Sequence, residues 1–583
     1  MKKNIFVLMM VLALILASCA TTESEVLPAE PEAVAAEETA IEEAVVEEET
    51  AAEEESSPDV YVLTTGSYQL KKAEQDYLTA DCYELQGVRY TSKVTVPELQ
   101  YLNIWIPSGY VNEDGSIDWE AEVNGYTPAT APIVFRNIFA GWRSSDPESR
   151  ENSIKLNELM EAGYIYVSCG GRSRDAVGDG ISYGKAPTPV VDLKSGVRFL
   201  RANNDVLPGD TDKIISIGGS GAGQMSAALG VTGNMPEYYP YLYENGAEGI
   251  ELVDGEYVST IDDNILASQC YFPITDLDNA DLAYAWQRMN SGETMVPGNF
   301  MNPVDIYLTD FQLVLQQDEA EAYVGYLNSL GLGLELEGTR SGSYYDAILN
   351  NLSSALNAYV AELSMAEEDA YISLLMATNT PELTWLVRDS SGLYRITSLD
   401  GFIRNSGSQG DPDTIGTAFV RNKDIPGFDT FDLTAENDAF GPADVSAVHY
   451  SATVGKVLAD NYEKYLPLMN EAEKEAVDLW ISQTQEGELA EFLISQTYLV
   501  NPMEILLAKA RGEQETVPAV HWRIRSGTAD EHTAFTIGYN LALALEANGI
   551  DTNYHLVWAM THNEMQEGTS TGTFLKWTES FCR

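Results

Sequence analysis

The stretch Asp212–Gly230, DKIISIGGSGAGQMSAALG, decides how this chain is read. An apolar run, Ile214 to Ile217, breaks into glycines; Ser220 stands among them, and small helix-forming residues follow. Three readings compete for such a turn. A phosphate-binding loop needs a Lys before a Ser or Thr at its end, and none is present. A dinucleotide loop needs GxGxxG, whereas the glycines at 219, 221 and 223 spell GxGxG. The third is a nucleophile elbow: a strand, a sharp turn with small residues around a serine, then a helix. Gly218, Gly219, Gly221 and Ala222 let the backbone turn tightly at Ser220, and the N-terminus of the following helix favours developing negative charge. The elbow pattern ends in Gly where this chain has Ala222. A tight bend without chemistry is the plain alternative, so the choice rests on the surroundings.

Short apolar runs alternate with helical patterns on both sides. YLNIWIP (101–107), APIVFRNIF (131–139), Tyr164 to Ser168, Lys213 to Ile217 and NILASQCYFPITD (264–276) read as strands. Before the serine turn, Leu193, Val197 and Leu200 share one helical face. The pattern returns near the C-terminus. Val520 to Arg525 and Asn553 to Ala559 read as strands, with a helix from Thr533 to Ala547, stopped by Asn548-Gly549, between them. Phe574 to Phe581 suggest a closing helix. Between the two regions, residues 285–510 carry acidic helical patterns separated by Gly- and Asp-rich loops. The order predicts an α/β fold with a largely parallel sheet. Its core comes in two pieces, 61–284 and 511–583, interrupted by a mainly helical insertion at 285–510. Two consecutive domains would leave the strands after residue 520 without neighbours.

Residues 1–19 read as an export signal. Lys2 and Lys3 precede an apolar run, Phe6 to Leu16, that is short for a membrane span. It ends in Leu16-Ala17-Ser18-Cys19, which resembles the lipobox of bacterial lipoproteins. That resemblance implies lipidation at Cys19 and anchoring to the extracytoplasmic face of a bacterial membrane. Residues 21–60 contain 14 Glu and no Lys or Arg, so 20–60 is expected to be a disordered acidic tether. The formal net charge is −57, from 90 acids against 33 bases. Such a chain repels nucleic acid and anionic lipid surfaces, leaving the lipid anchor as the expected membrane contact. The five cysteines form no CxxC, so no zinc or redox motif is expected. Cys169 and Cys270, in strand-like runs, are expected as buried thiols. No metal or other cofactor is expected. Asp276, Asp278 and Asp281 could be taken for a calcium loop, but acids at that density arise by chance in so acidic a chain.

A serine hydroxyl needs a base, and the base needs an orienting carboxylate. Of five histidines, His562 follows a strand late in the core, where a base belongs. His521 and His555 sit at the start of or inside strands, and His449 lies in the insertion. Asp530 follows the strand 520–525 by a short loop; Glu531 is its rival, and Asp551 precedes a strand. The order Ser220, Asp530, His562 is that of α/β-hydrolases. Parallel strands would bring the three to one rim of the sheet. An oxyanion needs two donors: the backbone N–H of Gly221, and one from Ala140-Gly141-Trp142, where Gly141 permits close approach.

Several separate blocks, in one order, resemble the bacterial tannase-like esterases of the α/β-hydrolase fold. They are APIVFRNIFAGW (131–142), GKAPTPVVDLKSGVRFLRAN (184–203), IGGSGAGQMSAALG (217–230), SQCYFPITDLDNADLAYAW (268–286), HWRIRSGTADEHT (521–533) and THNEM (561–565). The resemblance covers roughly residues 95–230, 262–290 and 420–583. It implies an α/β-hydrolase fold with a large, mainly helical lid inserted in the core. It also implies cleavage of galloyl esters by Ser220, His562 and Asp530. The family's lid lends a lysine and a glutamate that grip phenolic hydroxyls. PGFDTFDLTAEN (426–437) is similar to that part, which makes Glu436 and Lys423 the nearest positions. Two residues after the triad acid the family has a second carboxylate, whereas this chain has His532. An imidazole cannot copy a carboxylate that accepts two hydroxyl hydrogens, so the resemblance supports ester chemistry more than gallate specificity. The expected activity is therefore serine carboxylester hydrolysis, on galloyl or hydroxycinnamoyl esters, through an acyl-enzyme. A peptidase of the same fold, or a non-catalytic lipid-anchored binding protein on a hydrolase scaffold, are the alternatives.

Overall fold

Ile133–Arg136, Ile165–Cys169, Ile214–Gly219 and Ala267–Tyr271 are short, with every residue buried. Segments buried on both faces belong in the middle of a parallel sheet covered by helices. The computed structural model, which describes residues 70–73, 79–147, 156–298, 304–419, 421–563 and 570–583, places them there. The export segment, Cys19 and the tether to residue 60 lie outside the described residues.

The sheet has nine strands: β1 (Lys71–Lys72), β2 (Cys82–Val88), β3 (Leu102–Pro107), β4 (Ile133–Arg136), β5 (Ile165–Cys169), β6 (Ile214–Gly219), β7 (Ala267–Tyr271), β8 (His521–Gly527) and β9 (Thr552–Val557). They run in the order β1-β2-β3-β5-β4-β6-β7-β8-β9. From β5 to β9 every neighbouring pair is parallel, and β1 to β3 form an antiparallel edge. The sheet thus starts before the first strand expected from the sequence. In β2 the period-two alternation is interrupted where the pairing register shifts between Leu85 and Val88, beside Gly87 at φ 69°. Such a bulge hides the strand pattern.

Helices α1 (Thr188–Ala202) and α2 (Gly221–Val231) are buried almost throughout. Helix α3 (Phe535–Ala547) joins β8 to β9, and α4 (Ser570–Cys582) closes the chain. The segment between β7 and β8 is mainly helical. Its longer helices are Asp310–Ser329, Ser343–Ala361, Met365–Ala377, Glu471–Thr484 and Glu488–Val500. Three of them begin in capping boxes, at Thr309, Ser364 and Asn470, where side chain and backbone satisfy each other's orphan donors. Among the described residues no helix is long and apolar enough to cross a membrane. Cys82, Cys169, Cys270 and Cys582 are buried free thiols.

Part of the insertion, residues 406–419 and 421–450, has little regular structure, and it carries Lys423 and Glu436. Two aspartates hold it. Asp281, on the helix Ala280–Arg288, accepts the backbone N–H groups of Gly427, Phe428 and Asp429 at 2.7, 2.8 and 3.1 Å. Asp429 accepts those of Tyr450 and Ser451 and also holds His449 Nδ1 at 2.7 Å. Burial pushes the Asp281 carboxyl up to about 7, although its three N–H donors favour the charged form.

Candidate active site

Ser220 sits between β6 and α2 with φ 59° and ψ −127°. That conformation is costly for a residue with a side chain, of order 1–3 kcal/mol, and persists only where the surroundings impose it. Here Ser220 N–H donates to Tyr271 O at 3.1 Å, and Ser220 O accepts from Gln224 N–H at 3.0 Å. A Cβ at residue 218 would lie 2.2 Å from Ala222 O and 2.9 Å from Ala222 Cβ. The backbone carbonyl of residue 222 thus comes so close that only glycine fits at 218, and the Ala222 methyl is buried beside it.

Strand register carries the other groups to the same rim. Gly219 pairs with Tyr271, Tyr271 with Arg525, and Gly527 with Val557. The residues beyond these strand ends therefore gather at one edge. His562 Nε2 lies 2.9 Å from Ser220 Oγ, and His562 Nδ1 lies 3.0 Å from each Asp530 carboxylate oxygen. Asp530 is buried, and its Oδ1 also accepts the N–H groups of His532 and Thr533 at 2.9 and 3.0 Å. Asp530, not Glu531, holds the imidazole; burial pushes the Glu531 carboxyl above its usual range. The histidines set aside from the sequence do lie elsewhere. His449 stacks on Trp480, His521 opens β8 and stacks on Phe581, and His555 is exposed in β9.

The turn Ala140–Trp142 packs directly on the elbow. A Cβ at Gly221 would lie 2.5 Å from Phe139 O and 2.9 Å from Trp142 N, so only glycine fits. Trp142 N–H is already donated to Phe139 O at 2.9 Å. Gly141 has φ 60°, and a Cβ there would meet nothing within 4 Å, so this position borders open space.

His532 lies next to the triad, its ring 4.6 Å from that of His562. Burial, the neighbouring His562 and the charge of Lys423 push the His532 imidazole down to about 4, against the pull of Asp530. It is neutral near pH 7. The Asn422 amide lies 2.8 Å from His532 Nε2, and Asn422 N–H donates to Glu531 O, so the segment carrying Lys423 docks on the acid loop. Lys423 Nζ sits 4.2 Å from the Phe428 ring centre and 3.8 Å from Glu436 Oε2. The last distance is too long for a hydrogen bond. Glu436 Oε2 is buried and makes none to any described residue.

Asp276, Asp278 and Asp281 do not converge. The first two hold Asn501, whereas Asp281 binds the backbone at 427–429. Among the described residues no group of three His, Cys, Asp or Glu side chains is arranged to hold a metal.

Two neighbours of the site were not singled out from the sequence. Phe272, at φ 32°, packs its ring 4.3 Å from that of His562. Arg174 reaches the turn at Gly141. Arg174 stands in none of the quoted blocks; Phe272 lies in the block 268–286 and directly follows β7, but nothing local marks its role.

A parallel sheet with serine, histidine and aspartate meeting at its C-terminal rim defines an α/β-hydrolase fold. The comparisons agree and are narrower. The fold is similar to tannin acyl hydrolase from Lactobacillus plantarum, at 25% identity and a TM-score of 0.64, covering 88% of this chain and 97% of that one. A tannin acyl hydrolase solved in complex with ethyl gallate matches at 25% identity with a TM-score of 0.65, covering 88% and 97%. Fusobacterium nucleatum tannase shares the fold at 24% identity and a TM-score of 0.66, covering 89% and 99%. The BD-FAE family matches residues 126–295. Esterase LipC of Mycobacterium tuberculosis is 35% identical over 71 residues, 12% of this chain and only 18% of its own length. These likenesses support a hydrolase.

Proposed function

We propose that this protein is a serine carboxylester hydrolase acting on esters of hydroxylated aromatic acids. The observation that carries the reading is the unbroken hydrogen-bonded chain Ser220–His562–Asp530 at the rim of the sheet. In this reading His562 Nε2 takes the Ser220 proton as Oγ attacks the ester carbonyl. Asp530 holds the imidazole and stabilises its positive charge. The oxyanion lies against the N–H of Gly221, at the start of α2, and that of Gly141. His562 then protonates the leaving alcohol, and water repeats the cycle on the acyl-enzyme. Methyl gallate, methyl ferulate and short p-nitrophenyl esters, together with fluorophosphonate labelling of Ser220, test this. Turnover of at least one ester is expected. A folded protein that hydrolyses none, and whose Ser220 resists the probe while a phenolic ester still binds, is a binding protein instead.

The aromatic preference rests on Glu436. A buried carboxylate oxygen without a hydrogen-bond partner among the described residues is costly, and a phenolic hydroxyl from a ligand would satisfy it beside the Lys423 cation. Glu436→Gln is expected to raise KM for methyl gallate by about 10-fold, the worth of one hydrogen bond to a charged group. KM for p-nitrophenyl acetate should stay within about twofold. Equal changes for both esters would remove Glu436 from the phenol site. Lys423→Met should act in the same direction.

We further propose lipidation at Cys19, from the export segment that precedes it. The protein should then partition into the detergent phase of Triton X-114, and Cys19→Ser should move it to the aqueous phase. Wild-type protein in the aqueous phase, from a host that processes lipoproteins, would remove the anchor.

A further inference from the structure

Arg174 grips two parts of the site at once. Its Nε donates to Gly141 O at 2.8 Å, and its Nη1 donates to both Asp438 carboxylate oxygens at 2.7 and 2.9 Å. Gly141 belongs to the turn packed on Gly221. Asp438 belongs to the turn Asn437–Ala439, which Glu436 immediately precedes. One guanidinium therefore ties the proposed oxyanion turn to the turn beside the proposed phenol-binding carboxylate.

The oxyanion turn needs holding. Gly141 and Trp142 both have positive φ, 60° and 56°, and tryptophan adopts that region only under constraint. Five hydrogen bonds supply it. Trp142 N–H donates to Phe139 O, Arg143 N–H to Ala140 O, Ser173 Oγ to Trp142 O and Trp142 Nε1–H to Gln224 Oε1, and Arg174 takes the remaining carbonyl, that of Gly141. The lid strip has anchors of its own. Ala186 N–H donates to Ala439 O, and Lys185 Nζ donates to Phe440 O, each at 2.8 Å. Loss of Arg174 thus leaves the lid strip in place and falls on the oxyanion turn.

We propose that Arg174 is a positioning residue that sets the Ala140–Trp142 turn for the oxyanion and locks that setting to the lid through Asp438. The proposal rests on the serine-esterase reading. The ion pair is partly exposed, so its removal is expected to cost little stability.

The test is Arg174→Ala, assayed on an ester that the wild type hydrolyses. kcat is expected to fall by about 10- to 100-fold, as for a small displacement of a reacting group, while KM and inhibition by the product acid change less than about threefold. The rate at which a fluorophosphonate labels Ser220 should fall in parallel, because its phosphonyl oxygen enters the same hole. Arg174→Lys should recover only part of the loss, since one ammonium cannot span the carbonyl and the carboxylate as the fork does. Asp438→Ala should show a smaller loss of the same kind. A folded Arg174→Ala protein with kcat and labelling rate within twofold of wild type overturns the proposal, as does a change confined to KM. If Arg174→Ala does not fold, Arg174→Lys and Asp438→Ala decide, and wild-type rates in both overturn it. Absence of ester turnover by the wild type counts against the esterase reading instead, and the labelling rates still judge Arg174.

Discussion

Ser220→Ala is expected to lower ester turnover by about 10⁴-fold or more while leaving the fold intact. The size follows from the arrangement. Without Oγ there is no nucleophile for His562 to activate, and what remains is substrate binding and the oxyanion donors. The fold should survive because, among the described residues, Ser220 Oγ makes one side-chain hydrogen bond, the 2.9 Å bond to His562 Nε2. Losing such a bond in a half-open cleft costs about 1 kcal/mol. Alanine keeps the positive φ of the elbow, so no strain is released either. The measurement is kcat on the best ester of the panel, beside a thermal melt. Retention of more than a tenth of wild-type kcat, in protein free of wild-type contamination, would dismiss Ser220 as the nucleophile.

Asp530→Asn is expected to lower kcat by about 10³- to 10⁴-fold with little change in KM. The volume is conserved, so packing is not the cause. Asp530 Oδ1 accepts two backbone N–H groups, from His532 and Thr533. Asparagine can keep those bonds only with its carbonyl oxygen in that place. Its amide N–H₂ then faces His562 Nδ1 and donates to it. The neutral imidazole proton moves to Nε2, which can no longer accept from Ser220. A loss below tenfold would sink this account and return attention to Glu531. Glu531→Gln should leave kcat within a few-fold of wild type, because Glu531 contributes its backbone carbonyl to Tyr284 and Asn422 rather than its side chain to the imidazole.

The core strands were legible because they are buried on both faces. Runs such as IYVSC and IISIGG are too short for helices and are bounded by turn residues, so length and composition suffice. Strand β2 was not, because its bulge at Gly87 breaks the alternation and most of its residues are only half-buried. The partners of the serine could be named because parallel strands deliver the residues after them to one rim, and few histidines competed. Phe272 and Arg174 could not be named. Phe272 matters through ring packing on His562, and Arg174 through a carboxylate 264 residues away in the chain. No local spacing encodes either.

Local sequence determined the turn at Ser220, the parallel core and the delivery of Ser220, Asp530 and His562 to the ends of strands, since each follows from backbone sterics or strand burial over a few residues. Only tertiary structure decided that Asp530 rather than Glu531 faces the imidazole, that Glu436 Oε2 is buried without a hydrogen-bond partner among the described residues, and that Arg174 reaches Asp438. Those outcomes depend on side-chain direction and on close approach between segments 32 to 264 residues apart. Such contacts are fixed by how the inserted strip packs on the sheet's rim, a relation that no stretch of neighbouring residues contains.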